Sequence, residues 1–140
     1  VYNISGGNLR VGFSTLDATL ELGMDDQGFG FGGTGTKSHA KKYIKWGQTY
    51  GQGDTVTALL DMDKHVIQYL KNGKLMPGDA FTIPRGLWGT ALFPHVLTKE
   101  AAVEVYFGKG RPESLAVPSL PPGFAWISAV YTDTTTRVHS

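Results

Sequence analysis

The sequence predicts a single all-β domain built as a sandwich. Three observations point there. Apolar residues recur with period two through most of the chain, as they do on a strand with one buried face. Glycine supplies 19 of the 140 residues, about twice its usual share of roughly 7%, and with no low-complexity repeat it marks tight turns. Helical spacing is confined to two short stretches. A chain of this length is one domain of ordinary size, long enough to bury a real core.

Taken in order, Leu9, Val11 and Phe13 alternate with Arg10, Gly12 and Ser14. Phe29 and Phe31 alternate with Gly28 and Gly30, a strand with aromatics on one face and room for packing on the other. Val56, Ala58 and Leu60 alternate with Thr57, Leu59 and Asp61. Ile67 and Tyr69 flank Gln68, and the run ends at Asn72-Gly73, which joins VIQYLK to KLM. Asn-Gly is a strong hairpin signal because both turn residues must accept positive φ. Val103, Val105 and Phe107 make a last alternating run with Glu104 and Tyr106. Thr15 to Gly23 and Ser38 to Trp46 carry helical spacing, with Leu16 and Leu20 in the first and Ala40, Tyr43 and Ile44 in the second; each is too short to stand without tertiary packing. Beyond them, Pro112, Pro118, Pro121 and Pro122 mark an extended segment, Phe124 to Val130 is a last apolar patch, and Thr132 to Ser140 reads as frayed.

Composition excludes several classes of function. There is no cysteine, so neither a disulfide framework nor thiol chemistry is present, and an intracellular location, nuclear or cytoplasmic, is expected. Asn3-Ile4-Ser5 matches a glycosylation triplet, a pattern common by chance. No apolar run approaches the roughly 18 residues of a membrane span. His39, His65, His95 and His139 are scattered, with no pair at metal-ligand spacing. Asp61 and Asp63 flank a turn without the glycine and glutamate of a calcium loop, and capping that turn is the expected role. No G-x-S-x-G elbow surrounds Ser14 or Ser38. No catalytic residue, cofactor, metal or small-molecule substrate is expected.

The stretch GFGFGGTGTKSHAKKYIK, residues 28–45, imitates a phosphate cradle. Its glycines match a dinucleotide fingerprint, Thr36-Lys37-Ser38 sits one residue from a Walker A loop, and VTALLD resembles a Walker B strand. The imitation fails physically. A P-loop lysine must follow the last glycine directly to reach the phosphates. The alternating glycines and phenylalanines have strand spacing. A hairpin follows VTALLD at once, whereas a parallel nucleotide-binding sheet needs a crossover helix there.

What remains is the placement of charge. The chain balances 13 Lys and Arg against 12 Asp and Glu, but Lys37, Lys41, Lys42 and Lys45 lie within nine residues with no acid among them. Tyr43 and Trp46 are interleaved, and His39 stands among them. Asp17, Glu21, Asp25 and Asp26 form an opposing acidic stretch. Lys71, Lys74 and Arg85 add positive charge near the second hairpin. Two readings stand: a solvated basic loop, or a docking surface for phosphates or acidic side chains with an aromatic platform.

Blocks along the chain carry a resemblance. GDTV at 53–56, LLDMD, VIQYLKNGK, Ala80-Phe81, ALFPHV at 91–96 and VEVYFG at 103–108 follow one another in the order of a SPRY domain. They cover most of the chain from about Arg10 to Phe124. The GFGFGGTGTKSH block and the closing PPGF with FAWIS are similar to the SPRY domain inserted into the first helicase lobe of one DEAD-box RNA helicase family. The resemblance implies a twisted sandwich of two antiparallel sheets with long surface loops. It implies a SPRY domain over 1–126 and a tail over 127–140 leading back to the helicase core. It implies a non-catalytic interaction module whose parent remodels RNA with ATP. Val1 falls partway along a strand of the family pattern, so the family's first strands are expected to be missing or to lie outside this numbering. Thr98-Lys99-Glu100 stands where many peptide-binding members carry an aromatic residue, which shifts weight to the basic segment. The expected partner-binding residues are Lys37, His39, Lys41, Lys42, Lys45, Trp46, Lys71, Lys74 and Arg85. The expected partner is an acidic protein segment or RNA, or the parent helicase core, and not a membrane; a structural insert without ligand is the remaining alternative.

Overall fold

The computed structural model describes residues 1–3, 8–107, 120–125 and 137–139. The strands are β1 (Tyr2–Asn3), β2 (Asn8–Ser14), β3 (Gly28–Gly32), β4 (Thr36–His39), β5 (Lys42–Lys45), β6 (Val56–Asp61), β7 (Val66–Lys71), β8 (Lys74–Leu75), β9 (Phe81–Thr82), β10 (Phe93–Lys99), β11 (Val103–Glu104) and β12 (Arg137–His139), with one 3₁₀ turn at Arg85–Leu87. The all-β sandwich read from the period-two pattern is what these residues form. One sheet runs β12-β10-β2-β3-β4-β5, antiparallel except for the parallel β10–β12 pair. In the other, β7 pairs β6 on one side and both β8 and β9 on the other. The β1–β11 pair lies beside β6, because Tyr2 bridges Thr55 and the Val56 N–H donates to the Val1 carbonyl at 2.8 Å.

The core lies between the sheets. Phe29 and Phe31 of β3 and Ile67 and Tyr69 of β7 have no exposed surface, and burying each contributes about 1.5–3 kcal/mol. The Phe31 ring meets Tyr69 at 5.0 Å, Tyr50 at 5.1 Å and Trp46 at 5.2 Å between centroids. Both buried phenols are satisfied: Tyr69 Oη donates to the Val11 carbonyl at 2.9 Å, and Tyr50 Oη contacts the carbonyls of Leu9 and Phe31. Burial raises both phenol pKa values, so neither hydroxyl ionises in ordinary buffers.

The second face of β3 is made of glycine, and the segment 15–27 lies on it. Leu22 is fully buried there. A Cβ on Gly30 would stand 2.6 Å from the Arg10 side chain and 3.0 Å from Leu22, and one on Gly12 would stand 1.7 Å from the Phe29 carbonyl oxygen. His95, also fully buried, fixes the segment: its Nε2 is 2.9 Å from the Leu20 carbonyl and its Nδ1 2.8 Å from Ser14 Oγ. An Nε2–H tautomer satisfies both contacts, donating to the carbonyl and accepting from the serine. Arg10 Nη1 donates to the Leu22 carbonyl at 2.5 Å.

Three sequence expectations are corrected. Residues 15–23 form turns, not helix. The Asp25 carboxylate accepts from the Thr19 and Gln27 N–H groups at 2.8 and 3.0 Å, and such side-chain bonds to backbone compete with a helical ladder. Residues 38–46 run through the β4–β5 hairpin instead of a helix. The last alternating run yields only the short β11, with Val105 to Phe107 half-buried beyond it. By contrast, Asn72 and Gly73 adopt positive φ as their hairpin requires, and Asp61 Oδ1 caps its turn by accepting from the Asp63 and Lys64 N–H groups. Asn72 also accepts from the Thr55 N–H and donates to Asp54. That side-chain bond, then the Gly51 N–H, lowers the Asp54 pKa. In the tail read as frayed, Arg137–His139 instead pairs with β10 as β12, while the rest of residues 126–140 lies outside the described residues. So do Ile4 and Ser5 of the glycosylation triplet, Pro112, Pro118 and the apolar patch beyond Ala125.

The glycine contacts give a direct comparison. Gly12→Ala is expected to destabilise the fold by about 3 kcal/mol or more, because backbone must move and overpacking alone costs about 1–3 kcal/mol. Gly86→Ala, where a Cβ meets open space, is expected to change stability by less than about 0.5 kcal/mol. Urea unfolding of the two variants measures the difference.

Candidate docking surface

The basic segment is a β-hairpin rather than a loop, with Lys37 on β4, Lys41 in the turn and Lys42 and Lys45 on β5. Its register sets Thr36 opposite Lys45, Lys37 opposite Ile44, Ser38 opposite Tyr43 and His39 opposite Lys42. Opposite residues share a face, so the cations divide. Lys37, His39, Lys42 and Ile44 belong to the face that carries Phe29 and Phe31; Tyr43 and Lys45 belong to the glycine face.

The two-residue turn of this hairpin is Ala40-Lys41, with φ of 51° and 64°. Both are left-handed without being glycine or asparagine, at a cost of roughly 1–2 kcal/mol per residue. The acidic segment offsets it. The Ala40 N–H donates to the Asp25 carbonyl at 2.8 Å and the Lys41 N–H to the Gly23 carbonyl at 3.0 Å. Gly23 lies so close to Ser38 that a Cβ would stand 2.1 Å from its Oγ. The acidic stretch seen in the sequence thus holds the basic hairpin through backbone carbonyls. Asp25 spends its carboxylate on its own segment, and Asp26 accepts from Gln27 Nε2.

The expected site residues fall into three groups. Lys41, Lys42 and Lys45 are exposed, and among the described residues their ammonium groups make no hydrogen bond or ion pair. They make an exposed cationic edge without ion pairs among the described residues. Lys37, His39 and Trp46 face inward and support it. Lys37 Nζ donates to the Ala80 carbonyl at 2.7 Å and lies 5.7 Å over the Phe81 ring. His39 stacks on Phe29 at 4.3 Å, with Nδ1 2.8 Å from the Gly28 carbonyl. Trp46 packs edge-on against Phe31 and tilted against Tyr69.

The third group lies elsewhere on the surface. Lys71 and Lys74 pair across the Asn72-Gly73 turn. Met76, just beyond this hairpin, reaches the residue that follows Trp46, as a Cβ on Gly47 would stand 2.9 Å from its Sδ. Arg85 sits 5.1 Å over the Trp88 ring, whose indole also stacks on His65 at 3.7 Å and donates to the Ile83 carbonyl. Sequence reasoning missed this stack, as no spacing links residues 65, 85 and 88. Tyr43 and Ile44 are 52% and 53% exposed, so of the two aromatics interleaved with the lysines Tyr43 stands at the surface while Trp46 packs inward. Tyr43 is covered on one side by the Arg10 guanidinium at 5.5 Å, and its hydroxyl reaches Met24 Sδ at 2.7 Å.

The SPRY domain family matches residues 2–110. The chain is 44% identical over 103 residues to the ATP-dependent RNA helicase DDX1 of Xenopus laevis, and 40% identical over 103 residues to the ATP-dependent RNA helicase Ddx1 of Drosophila melanogaster. Each alignment covers 74% of this chain and 14% of the helicase, so the chain spans about one-seventh of the length of those relatives. It is also 35% identical over 125 residues to the heterogeneous nuclear ribonucleoprotein U-like protein 2 of Mus musculus, covering 87% of this chain and 16% of the relative.

The strained turn makes its own prediction. Ala40→Gly removes the Cβ penalty at positive φ without touching a charge, and is expected to stabilise the fold by about 1 kcal/mol. A urea midpoint that stays the same or falls contradicts the account of the turn.

Proposed function

The chain belongs to the SPRY domain family, whose members are interaction modules, and from that premise we propose that it docks an acidic protein segment on Lys41, Lys42 and Lys45. Lys74 extends the surface, and Lys37, His39 and Trp46 hold the hairpin from behind. The parent in this reading is a DEAD-box ATP-dependent RNA helicase, in keeping with the two helicase relatives. Catalysis belongs to the parent, and this domain brings a partner to it in the nucleus or cytoplasm. The observation that carries the reading is the cluster of exposed lysines that pair with no carboxylate among the described residues. An acidic segment gains from meeting several unneutralised charges at once, chiefly in encounter rate and selectivity.

RNA is the second reading, favoured by the exposed Tyr43 ring, which shares a sheet face with Lys45 and offers a stacking surface beside that phosphate-binding charge. Arg85 stands apart, over Trp88, and contributes a separate cation-aromatic feature in either reading.

A glutamate-rich peptide and a polyuridylate oligonucleotide separate the two. The proposal predicts that the peptide binds and that the triple change Lys41→Gln, Lys42→Gln, Lys45→Gln weakens it at least about tenfold, the size expected when several charge contacts are lost together. It also predicts no RNA binding at micromolar concentration in about 100 mM salt, where a three-phosphate contact would show a log-log salt slope of about −2. RNA binding that the triple change abolishes, with no peptide binding, would replace the first reading with the second.

A further inference from the structure

β5 ends its sheet, with β4 on one side and no described strand on the other. The Trp46 N–H donates to the Gly35 carbonyl at 2.9 Å, and this bond sets the phase of the hairpin. Hydrogen-bonded positions alternate along an antiparallel pair, so Ile44 and Lys42 exchange bonds with Lys37 and His39. Tyr43 and Lys45 therefore aim their N–H and C=O groups away from the sheet. Among the described residues these four groups have no backbone partner. They make one short repeat of an open ladder, and all of β5 is exposed.

Lysines on an edge strand ordinarily prevent a second copy from pairing there, and Lys42 and Lys45 have that effect. An edge that is only protected has no use for exposed apolar side chains, yet Tyr43 and Ile44 stand one on each face. Leu75, 49% exposed, is a further exposed apolar side chain on β8, one residue before the Met76 that reaches Gly47. The edge repels its own kind by charge while offering backbone, charge and apolar surface together.

We propose that β5 binds its partner by strand addition, taking an extended acidic segment of another protein as a seventh strand. This rests on the acidic-partner reading above and specifies its geometry. Residues opposite one another in a ladder share a face. Lys42, Tyr43, Ile44 and Lys45 therefore ask for the order acidic, apolar, apolar, acidic. The order is the same in both chain directions, so it suits a parallel or an antiparallel segment. Main-chain bonds to Tyr43 and Lys45 supply the pairing, and the alternating side chains select the sequence.

The test uses the 140-residue chain and a blocked eight-residue peptide centred on Glu, Val, Val, Glu. Strand addition predicts that the peptide slows hydrogen exchange at the Tyr43 and Lys45 amides by about tenfold or more, since each gains a ladder bond. N-methylation of both valines is expected to abolish the slowing, as is the double change Lys42→Glu, Lys45→Glu. Tyr43→Pro removes one outward N–H without removing a bond to β4, as proline is tolerated on an outward-facing edge, and is expected to abolish peptide binding while the chain stays folded. Equal binding of the N-methylated peptide with both amides unprotected overturns strand addition and leaves charge-led docking standing. Failure of both peptides to bind overturns strand addition and the acidic-partner reading together. Slowing that grows with protein concentration in the absence of peptide also overturns it, because the occupant is then a second copy of the chain.

Discussion

Strand β3 has two unlike faces, and the rest of the sandwich is arranged by them. Phe29 and Phe31 fill the space between the sheets, where Phe31 touches Tyr50, Tyr69 and Trp46. Gly28 and Gly30 leave the opposite face bare, and that bareness lets Leu22 and the backbone around it lie directly on the sheet. Side chains on both faces would hold the 15–27 segment away. His95 and Arg10 then fix the segment by its Leu20 and Leu22 carbonyls. The glycines that imitate a phosphate cradle are packing positions, and their function is to be small.

The surface follows from the same contact. The segment on the glycine face supplies the Gly23 and Asp25 carbonyls that receive the Lys41 and Ala40 N–H groups. These bonds hold a left-handed turn that Ala40 and Lys41 would not choose alone. The turn fixes the register of β5, and the register decides which cations are free. Lys37 is drawn inward to the Ala80 carbonyl and the Phe81 ring, while Lys42 and Lys45 remain in solvent on opposite faces. A docking strand with one lysine per face differs from a basic loop. A loop offers charge in no fixed order, whereas a strand offers it at a fixed repeat beside free backbone groups.

Much of the fold is legible in the sequence, because burial of one face imposes a period that residue types record. Leu9, Val11 and Phe13, the phenylalanines of β3, and Ile67 with Tyr69 all point inward as their spacing says. Asn72-Gly73 marks its turn because few other pairs accept its dihedral angles. The β4–β5 hairpin is not legible for the same reason. Its turn has ordinary residues whose strain is offset by carbonyls some fifteen residues away in sequence, and no local rule encodes that. Ala40, Tyr43 and Ile44 fall at helical spacing although only tertiary contacts decide the outcome. The candidate site was half legible: the lysine cluster stands out by charge, but the separation of Lys37 from Lys42 and Lys45 depends on register, and register on the turn.

Hydrogen exchange in a Leu22→Ala variant measures how far the hairpin depends on the segment behind it. The Ala40 and Lys41 amides are expected to lose protection well beyond the loss at core amides such as Tyr69 and Val11, because the carbonyls that hold the turn are no longer seated on the glycine face. If those two amides keep their protection relative to the core, the hairpin stands by itself and the account is contradicted.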